Sequence, residues 1–307
     1  MNFLYFLEKF RVPVVNEIML GITRLGEELA LLIVALIVFW CIDKRRGYFV
    51  LGVGLIGTVI SQFMKIMCRI PRPWVLDENF TILEQAREAA SGYSFPSGHT
   101  QTAFGVFGSL SMGSKRKLFQ MLCIVLAVFV GFSRMYIGVH TPVDVFVGAM
   151  ISISLVFLLY PLMMKQGGRH IPYCLLTYTI ISVMYLAFLE LHKFPQDIDV
   201  HNMESAMKNG YTLVGTFAGL LITWLVDQKR DFPTSACFWA QVLKIILGFA
   251  LVLGVKEGLR SPLDAIFGGH LIARAVRYFL IVFAAGIVWP TFFPLFSRFG
   301  KKNSGGN

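Results

Sequence analysis

The feature that most limits the fold of this 307-residue chain is a series of apolar runs. Several approach or pass the roughly 20 residues that an α-helix needs to cross a bilayer. The runs are continuous rather than alternating, which argues for helices over strands. Spanning helices are predicted at about 28–42, 47–67, 99–113, 118–134, 142–164, 171–190, 209–227, 237–254 and 275–296. Only 15% of the residues are charged, against about 25% in an ordinary soluble domain. The expected fold is an all-α polytopic membrane bundle of about nine transmembrane helices, with no separate soluble domain.

Ahead of the first run, Phe3, Leu4, Leu7, Phe10, Val14, Ile18 and Ile22 recur at helical spacing, with Glu8, Lys9, Arg11 and Glu17 between them. That pattern predicts an amphipathic helix lying in the membrane interface over 1–27, with a first spanning helix as the alternative. The basic start and clean apolar core of a signal peptide are missing here. The run 99–113 is short and rich in Gly, Ser and Ala, which predicts a place inside the bundle. "GTFAG" at Gly215 to Gly219 is a small-residue pattern read as helix packing. The five cysteines, Cys41, Cys68, Cys123, Cys174 and Cys237, are dispersed and without CxxC spacing. They form neither a disulfide framework nor a zinc site and read as small hydrophobes.

The formal charge is +10, from 28 basic and 18 acidic residues. No array of aromatic and basic residues suggests a nucleic-acid surface. Thirteen of the basic residues crowd into five short segments: 43–46, 114–117, 165–169, 227–231 and the tail with Arg298, Lys301 and Lys302. By the positive-inside rule these segments are cytoplasmic. The N-terminus and the loops 68–98, 135–141, 191–208 and 255–274 then lie outside.

Three motifs occur in order on that outer side. "KIMCRIPRP" carries Lys65, Arg72 and Pro73; "PSGH" carries Pro96, Ser97, Gly98 and His99; "SRMYIGVHTPVD" carries Ser133, Arg134, His140 and Asp144. Helix parity alone brings them to one face, independently of loop charge. Lys65, Arg72 and Arg134 are three cations, and guanidiniums grip phosphate through paired hydrogen bonds. Two helix starts add their N–H groups and positive dipole ends, and Ser97 and Gly98 let backbone amides approach a ligand. Such a nest suits a tetrahedral oxyanion, and two histidines within it suggest phosphoryl transfer. In a two-step displacement His140 attacks phosphorus, Asp144 one turn on receives the other ring N–H, and His99 protonates the leaving oxygen and later takes a proton from water. No carboxylate cluster offers itself to a metal, so no metal or other cofactor is expected.

Taken singly, these residues have plainer readings. Thr141, Pro142 and Asp144 make an ordinary helix start, and capping alone accounts for Asp144. Lys65 and Arg72 read as interface anchors, and Pro-Ser-Gly is a common helix-entry turn. The plain readings do not predict three spaced motifs in order on one membrane face.

The pattern KxxxxxxRP, PSGH and SRxxxxxHxxxD resembles that of the type 2 phosphatidic acid phosphatase (PAP2) superfamily at every fixed position between Lys65 and Asp144. The resemblance implies metal-independent hydrolysis through a phosphohistidine. It implies His140 as nucleophile, Asp144 as its partner and His99 as acid and base. Lys65, Arg72, Ser97, Gly98 and Arg134 would bind phosphate. Residues 28–164 would be the catalytic core and 165–307 further spans of the same bundle. The span count is similar to the sphingosine-1-phosphate phosphatase and glucose-6-phosphatase branches.

A site at helix ends, level with lipid headgroups, favours a lipid phosphate monoester or a polyprenyl diphosphate drawn from the bilayer. A soluble sugar phosphate is the runner-up. Transfer to an acceptor other than water and non-hydrolytic phospholipid transport are further alternatives. Trp74, Phe80, Tyr93 and Phe95 flank the site, as entry lining or as interfacial anchors. The loops 191–208 and 255–274 read as solvated, with capping of the site as the alternative for the second. The expected location is a bacterial plasma membrane with the site facing outward, or an endoplasmic reticulum lumen in a eukaryote.

Overall fold

The computed structural model describes residues 1–87, 90, 92–196, 198–230 and 232–298. Lys301 and Lys302 of the basic tail, Asp197 and Asp231 lie outside the described residues. Among the described residues every regular element is helical.

The N-terminal segment forms two helices rather than one, α1 (Asn2–Glu8) and α2 (Pro13–Thr23), followed by a 3-10 turn at Arg24–Gly26. Pro13 is the reason. Proline has no N–H to donate and pushes its predecessor out of the α region, and Val12 is extended at φ −124°, ψ 150°. Next come α3 (Glu28–Cys41) and α4 (Lys44–Cys68), the latter capped where Asp43 Oδ1 accepts from the Arg46 N–H at 2.9 Å. A single turn, α5 (Pro73–Leu76), opens the long segment before α6 (Gly98–Met112). The chain continues through α7 (Lys117–Tyr136), α8 (Pro142–Met164), α9 (Ile171–Leu191) and α10 (Val200–Asp227). It ends with α11 (Phe238–Gly258), α12 (Arg260–Ile266), α13 (Ile272–Phe283) and α14 (Phe293–Arg298).

Helices occupy all nine predicted positions, and seven helical segments are long and apolar enough to cross a membrane. The other two are α3 with 14 residues and α6 with 15. At about 1.5 Å per residue they fall short of a hydrocarbon core of about 30 Å. Three boundaries differ from expectation. α10 starts at Val200 instead of 209, because Asp199 Oδ1 accepts from the Asn202 N–H at 2.8 Å and caps it. The loop 255–274 contains α12. The last predicted span is broken into α13, a π-helical turn at Ala284–Val288, a 3-10 turn at Trp289–Phe292 and α14. Pro290 removes a ladder donor and crowds the carbonyl four residues earlier, and the widened turn relieves that clash.

The chain divides into two compact units. The first comprises Met1–Val34, Phe49–Lys165 and Leu191–Ala206. Here α6 packs against both α7 and α8. Its buried residues are small or polar, among them Thr100, Gln101, Thr102, Ala103, Gly105 and Ser109. Such residues let helices approach closely and hydrogen-bond across in lipid; Gln101 Nε2 donates to the Gly54 carbonyl at 3.3 Å and to Ser152 Oγ at 3.2 Å. α7 and α8 turn apolar faces outward, with Leu122, Ile124, Phe146 and Phe157 exposed, as lipid-facing helices do. One end of this unit carries a cap. There Leu4, Phe80 and Ile82 form one buried cluster, and Ala86, Ala90, Tyr136, Ile137 and Val139 form another.

The second unit comprises Ala35–Tyr48, Gln166–Glu190 and the described residues from Met207 onward. α11 packs against α12, α13 and α14. Gly215 and Gly219 of α10 face α13, where a β-carbon would strike the Ala275 backbone or Val282. The small-residue pattern is thus helix packing, as expected. Lys244 of α11 is fully buried. Its Nζ donates to the Trp40 and Thr234 carbonyls at 2.9 Å each and lies 4.4 Å from the Phe293 ring centroid. Trp40 stands in the last turn of α3, where helix carbonyls lack intrahelical partners. Lys244 supplies one.

Candidate active site

The capped end of the first unit gathers the residues singled out from sequence. Lys65 stands one turn before the end of α4, which stops at Arg69 in the left-handed region with φ +50°. The chain then pairs with the segment entering α6, the Ser94 N–H donating to the Ile70 carbonyl at 2.8 Å. Lys65 Nζ donates to the Tyr93 carbonyl. Arg72, at the N-cap of α5, donates through Nε to the Gly92 carbonyl at 3.0 Å and through Nη1 to the Val139 carbonyl at 3.0 Å.

The decisive contact is Arg72 Nη1 to His140 Nε2, 2.9 Å apart and buried. A guanidinium only donates, so Nε2 is the acceptor and holds a lone pair there. The neutral ring then carries its proton on Nδ1. That atom faces Asp144 Oδ2 at 3.5 Å, without a hydrogen bond. Burial, then the charges of Arg72, Arg134, Lys65 and His99, hold the His140 imidazole well below the ordinary histidine range. The ring is therefore uncharged at neutral pH.

Asp144 does two things. It closes a capping box with Thr141, its Oδ2 accepting from the Thr141 N–H at 2.8 Å, so the capping reading holds. The same oxygen accepts from Ser94 Oγ at 2.6 Å and faces His140. The Asp144 carbonyl receives the Ser97 N–H at 3.0 Å, tying the start of α6 to the start of α8. Gly148 allows this approach; a β-carbon there would lie 2.6 Å from the Ser97 carbonyl oxygen.

Ser97 caps α6, its Oγ accepting from the Thr100 N–H at 3.5 Å and also from Thr100 Oγ1 at 2.9 Å. A β-carbon on Gly98 would meet nothing within 4 Å, so packing does not demand glycine there. His99 follows in the first turn of α6, half-buried, with a buried Nε2 that has no hydrogen-bond partner. Arg134, 1% exposed in the last turn of α7, donates through Nη1 to Thr23 Oγ1 at 2.7 Å, while its buried Nε is without a partner. Buried polar atoms are rarely left bare. Here His99 Nε2, Arg134 Nε and His140 Nδ1 all are.

Sequence reasoning missed Ser94 and Thr23. Ser94 lies three residues before Ser97 with nothing to mark it from any loop serine, and Thr23 lies more than forty residues before the first motif. Of the flanking aromatics, Phe80 is a core residue of the cap, 3% exposed, and not a lining residue. Trp74 lies under two guanidiniums, 5.9 Å from that of Arg72 and 5.3 Å from that of Arg87. Among the described residues no three His, Cys, Asp or Glu side chains converge as a metal site.

The sequence profile of the PAP2 superfamily matches residues 47–167, and that of the PAP2 superfamily phosphatase transmembrane extension matches residues 211–302. An undecaprenyl-diphosphatase of Bacillus subtilis is 30% identical over 149 residues, which cover 48% of this chain and 74% of that protein. The chain belongs to the PAP2 superfamily. Other PAP2 relatives include a phosphatidylglycerophosphatase B of Bacillus subtilis, 29% identical over 158 residues, covering 48% of this chain and 75% of the relative. A mouse sphingosine-1-phosphate phosphatase 2 is 25% identical over 248 residues, covering 76% of this chain and 66% of the relative. No solved structure gives a significant match. Membership in PAP2, together with the apolar helices, makes this a multi-pass integral membrane protein of phosphatase type. The PAP2 match contains every site residue from Lys65 to Asp144, and residues 1–46 precede it.

Proposed function

We propose that the protein hydrolyses a lipid phosphate monoester or a polyprenyl diphosphate at the extracytoplasmic face of its membrane, without a metal, through a phosphohistidine at His140. The observation that carries this reading is the Arg72–His140 contact, an imidazole lone pair held by a guanidinium among buried cations. A phosphate entering the site draws the guanidinium onto its own oxygens and leaves Nε2 free to attack. The N–P bond forms as the bond from phosphorus to the leaving oxygen breaks. His99 delivers its proton to that oxygen, so the product departs as an alcohol or, from a diphosphate, as a monophosphate. Water then attacks phosphorus, His99 takes its proton, and inorganic phosphate leaves as His140 is restored. Arg72, Arg134 and Lys65, with the Ser97 hydroxyl and the Gly98 amide, hold the charge on the equatorial oxygens. Asp144 receives the Nδ1–H as positive charge develops on the ring.

The outward orientation rests on the dense basic residues of the short loops at 43–46, 114–117, 165–169 and 227–231. If the short helices α3 and α6 also cross, in a locally thinned bilayer, the count of nine sets Lys65, His99, Arg134 and His140 on the other side. The apolar residues of α1 and α2 then lie along the outer interface. The lipid substrate class is supported by the relatives, whose names share a phosphate or diphosphate on a lipid.

The test is phosphate release by purified protein in detergent from phosphatidate, phosphatidylglycerol phosphate, sphingosine-1-phosphate, undecaprenyl diphosphate and glucose-6-phosphate, with EDTA present. Turnover of one of the four lipids, inhibition by vanadate and loss of turnover in His140→Ala are expected. A requirement for added magnesium, or a near-normal rate in His140→Ala, removes the mechanism. Preference for glucose-6-phosphate removes the substrate class.

A further inference from the structure

The N-terminal 26 residues precede the PAP2 match, yet they are bound to the site end of the first unit through a set of polar contacts. Tyr5 Oη donates to Asp77 Oδ2 at 2.8 Å. Arg11 donates through Nε to the Tyr136 carbonyl and through Nη1 to the Thr81 carbonyl, both at 2.9 Å. Tyr136 Oη reaches back to the Phe10 carbonyl and to Asn16 Oδ1, again at 2.9 Å each. Two positions admit no side chain: a β-carbon on Gly138, at φ +89°, would meet Arg11 Nη2 at 2.7 Å, and one on Gly26 would meet the His99 carbonyl oxygen at 2.7 Å. Thr23, 6% exposed at the end of α2, accepts from Arg134 Nη1 at 2.7 Å.

We infer that Thr23 is a positioning residue of the phosphate site, and that the N-terminal segment is a working part of that site. The inference rests on the phosphatase reading above. A guanidinium presents its N–H donors in a rigid planar fork. Thr23 anchors the fork at Nη1, and the buried Nε has no protein partner. Pinning Nη1 sets the plane of the group and offers its Nε edge for a paired grip on one phosphate oxygen pair. Removing the hydroxyl leaves a buried N–H without a partner, so the guanidinium rotates to recover a bond and the grip is lost. The arginine comes from the family motif, while the residue that aims it comes from the segment that precedes the family match.

The experiment compares the full-length wild type with Thr23→Val, Thr23→Ser, Arg134→Ala and the Thr23→Val/Arg134→Ala pair. Vanadate binding to purified protein and kcat/KM on the lipid substrate are both read. Thr23→Val is expected to weaken vanadate binding and lower kcat/KM by the same factor, about tenfold. Thr23→Ser, which keeps the oxygen, restores both to within about twofold of wild type. In the Arg134→Ala background Thr23→Val has no further effect, because a positioning residue has nothing left to position. Equal vanadate binding by wild type and Thr23→Val overturns the assignment. So does a loss in the double variant equal to the product of the two single losses, which marks a purely structural role. A wild type that does not bind vanadate overturns the phosphatase reading as well, so the two failures are told apart.

Discussion

At the residue scale, the motif residues were legible because their chemical types are scarce in an apolar chain. A histidine or arginine at a membrane helix end needs a reason, and here the reasons converge. Thr23 and Ser94 were not legible, because a hydroxyl at a helix end or in a loop is ordinary until its partner is seen. Asp144 shows that two readings can both hold: it caps α8 and faces His140 with the same oxygen. The depressed basicity of His140 makes a stability prediction with a definite sign. Below the ordinary histidine value of about 6.5, the unfolded chain binds a proton that the folded chain excludes. The contribution of His140 is therefore present above that pH and lost as pH falls through it. The thermal midpoint of the wild type should drop between pH 7 and pH 5 more steeply than that of His140→Gln; equal slopes would contradict this. Gly98 makes another prediction. Because a β-carbon there meets no protein atom, Gly98→Ala should hold or raise the thermal midpoint, alanine being favoured in helices by up to about 1 kcal/mol. The methyl would stand at the proposed phosphate position, so kcat/KM should fall about tenfold or more. A variant with unchanged kcat/KM would place the phosphate elsewhere.

At the element scale, the helices were legible from continuous apolar runs, while their ends were set by single residues that hydropathy averages out. Pro13 split the N-terminal helix, Asp199 started α10 nine residues early, and Pro290 broke the last span. Lys244 is an ionisable residue buried in the apolar helix α11. Its ammonium joins the last turn of α3 to the Thr234 carbonyl, which precedes α11. Lys244→Met keeps the length of the side chain and removes both hydrogen bonds; the Thr234 carbonyl keeps Gln241 Nε2 as a donor at 2.8 Å, while the Trp40 carbonyl loses the donor that Lys244 supplies. We expect a loss of about 2 kcal/mol or more, measured as a lower thermal midpoint in detergent. A midpoint equal to wild type would show that other donors replace the ammonium.

At the scale of the whole molecule, sidedness is testable with cysteines already present. Cys68 ends α4 close to Lys65 and is exposed; Cys237 precedes α11 and is exposed. In variants keeping one of these as the sole cysteine, an impermeant maleimide applied to intact cells should label Cys68. Cys237 should react only after permeabilisation. The reverse pattern would turn the site toward the cytosol and remove the extracytoplasmic assignment.

The division into units has a consequence for how this protein can be dissected. The end of α3 and the start of α4, residues 35–48, fold with the second unit, where Lys44 pairs with Asp227 at 2.6 Å and Trp40 Nε1 donates to the Ala285 carbonyl at 2.9 Å. The helix that delivers Lys65 is thus rooted in contacts that the C-terminal extension supplies. Cutting the chain after Lys165 would remove Asp227 and Ala285 and leave that root without these partners, so the PAP2-matched segment alone should be less stable than the full chain.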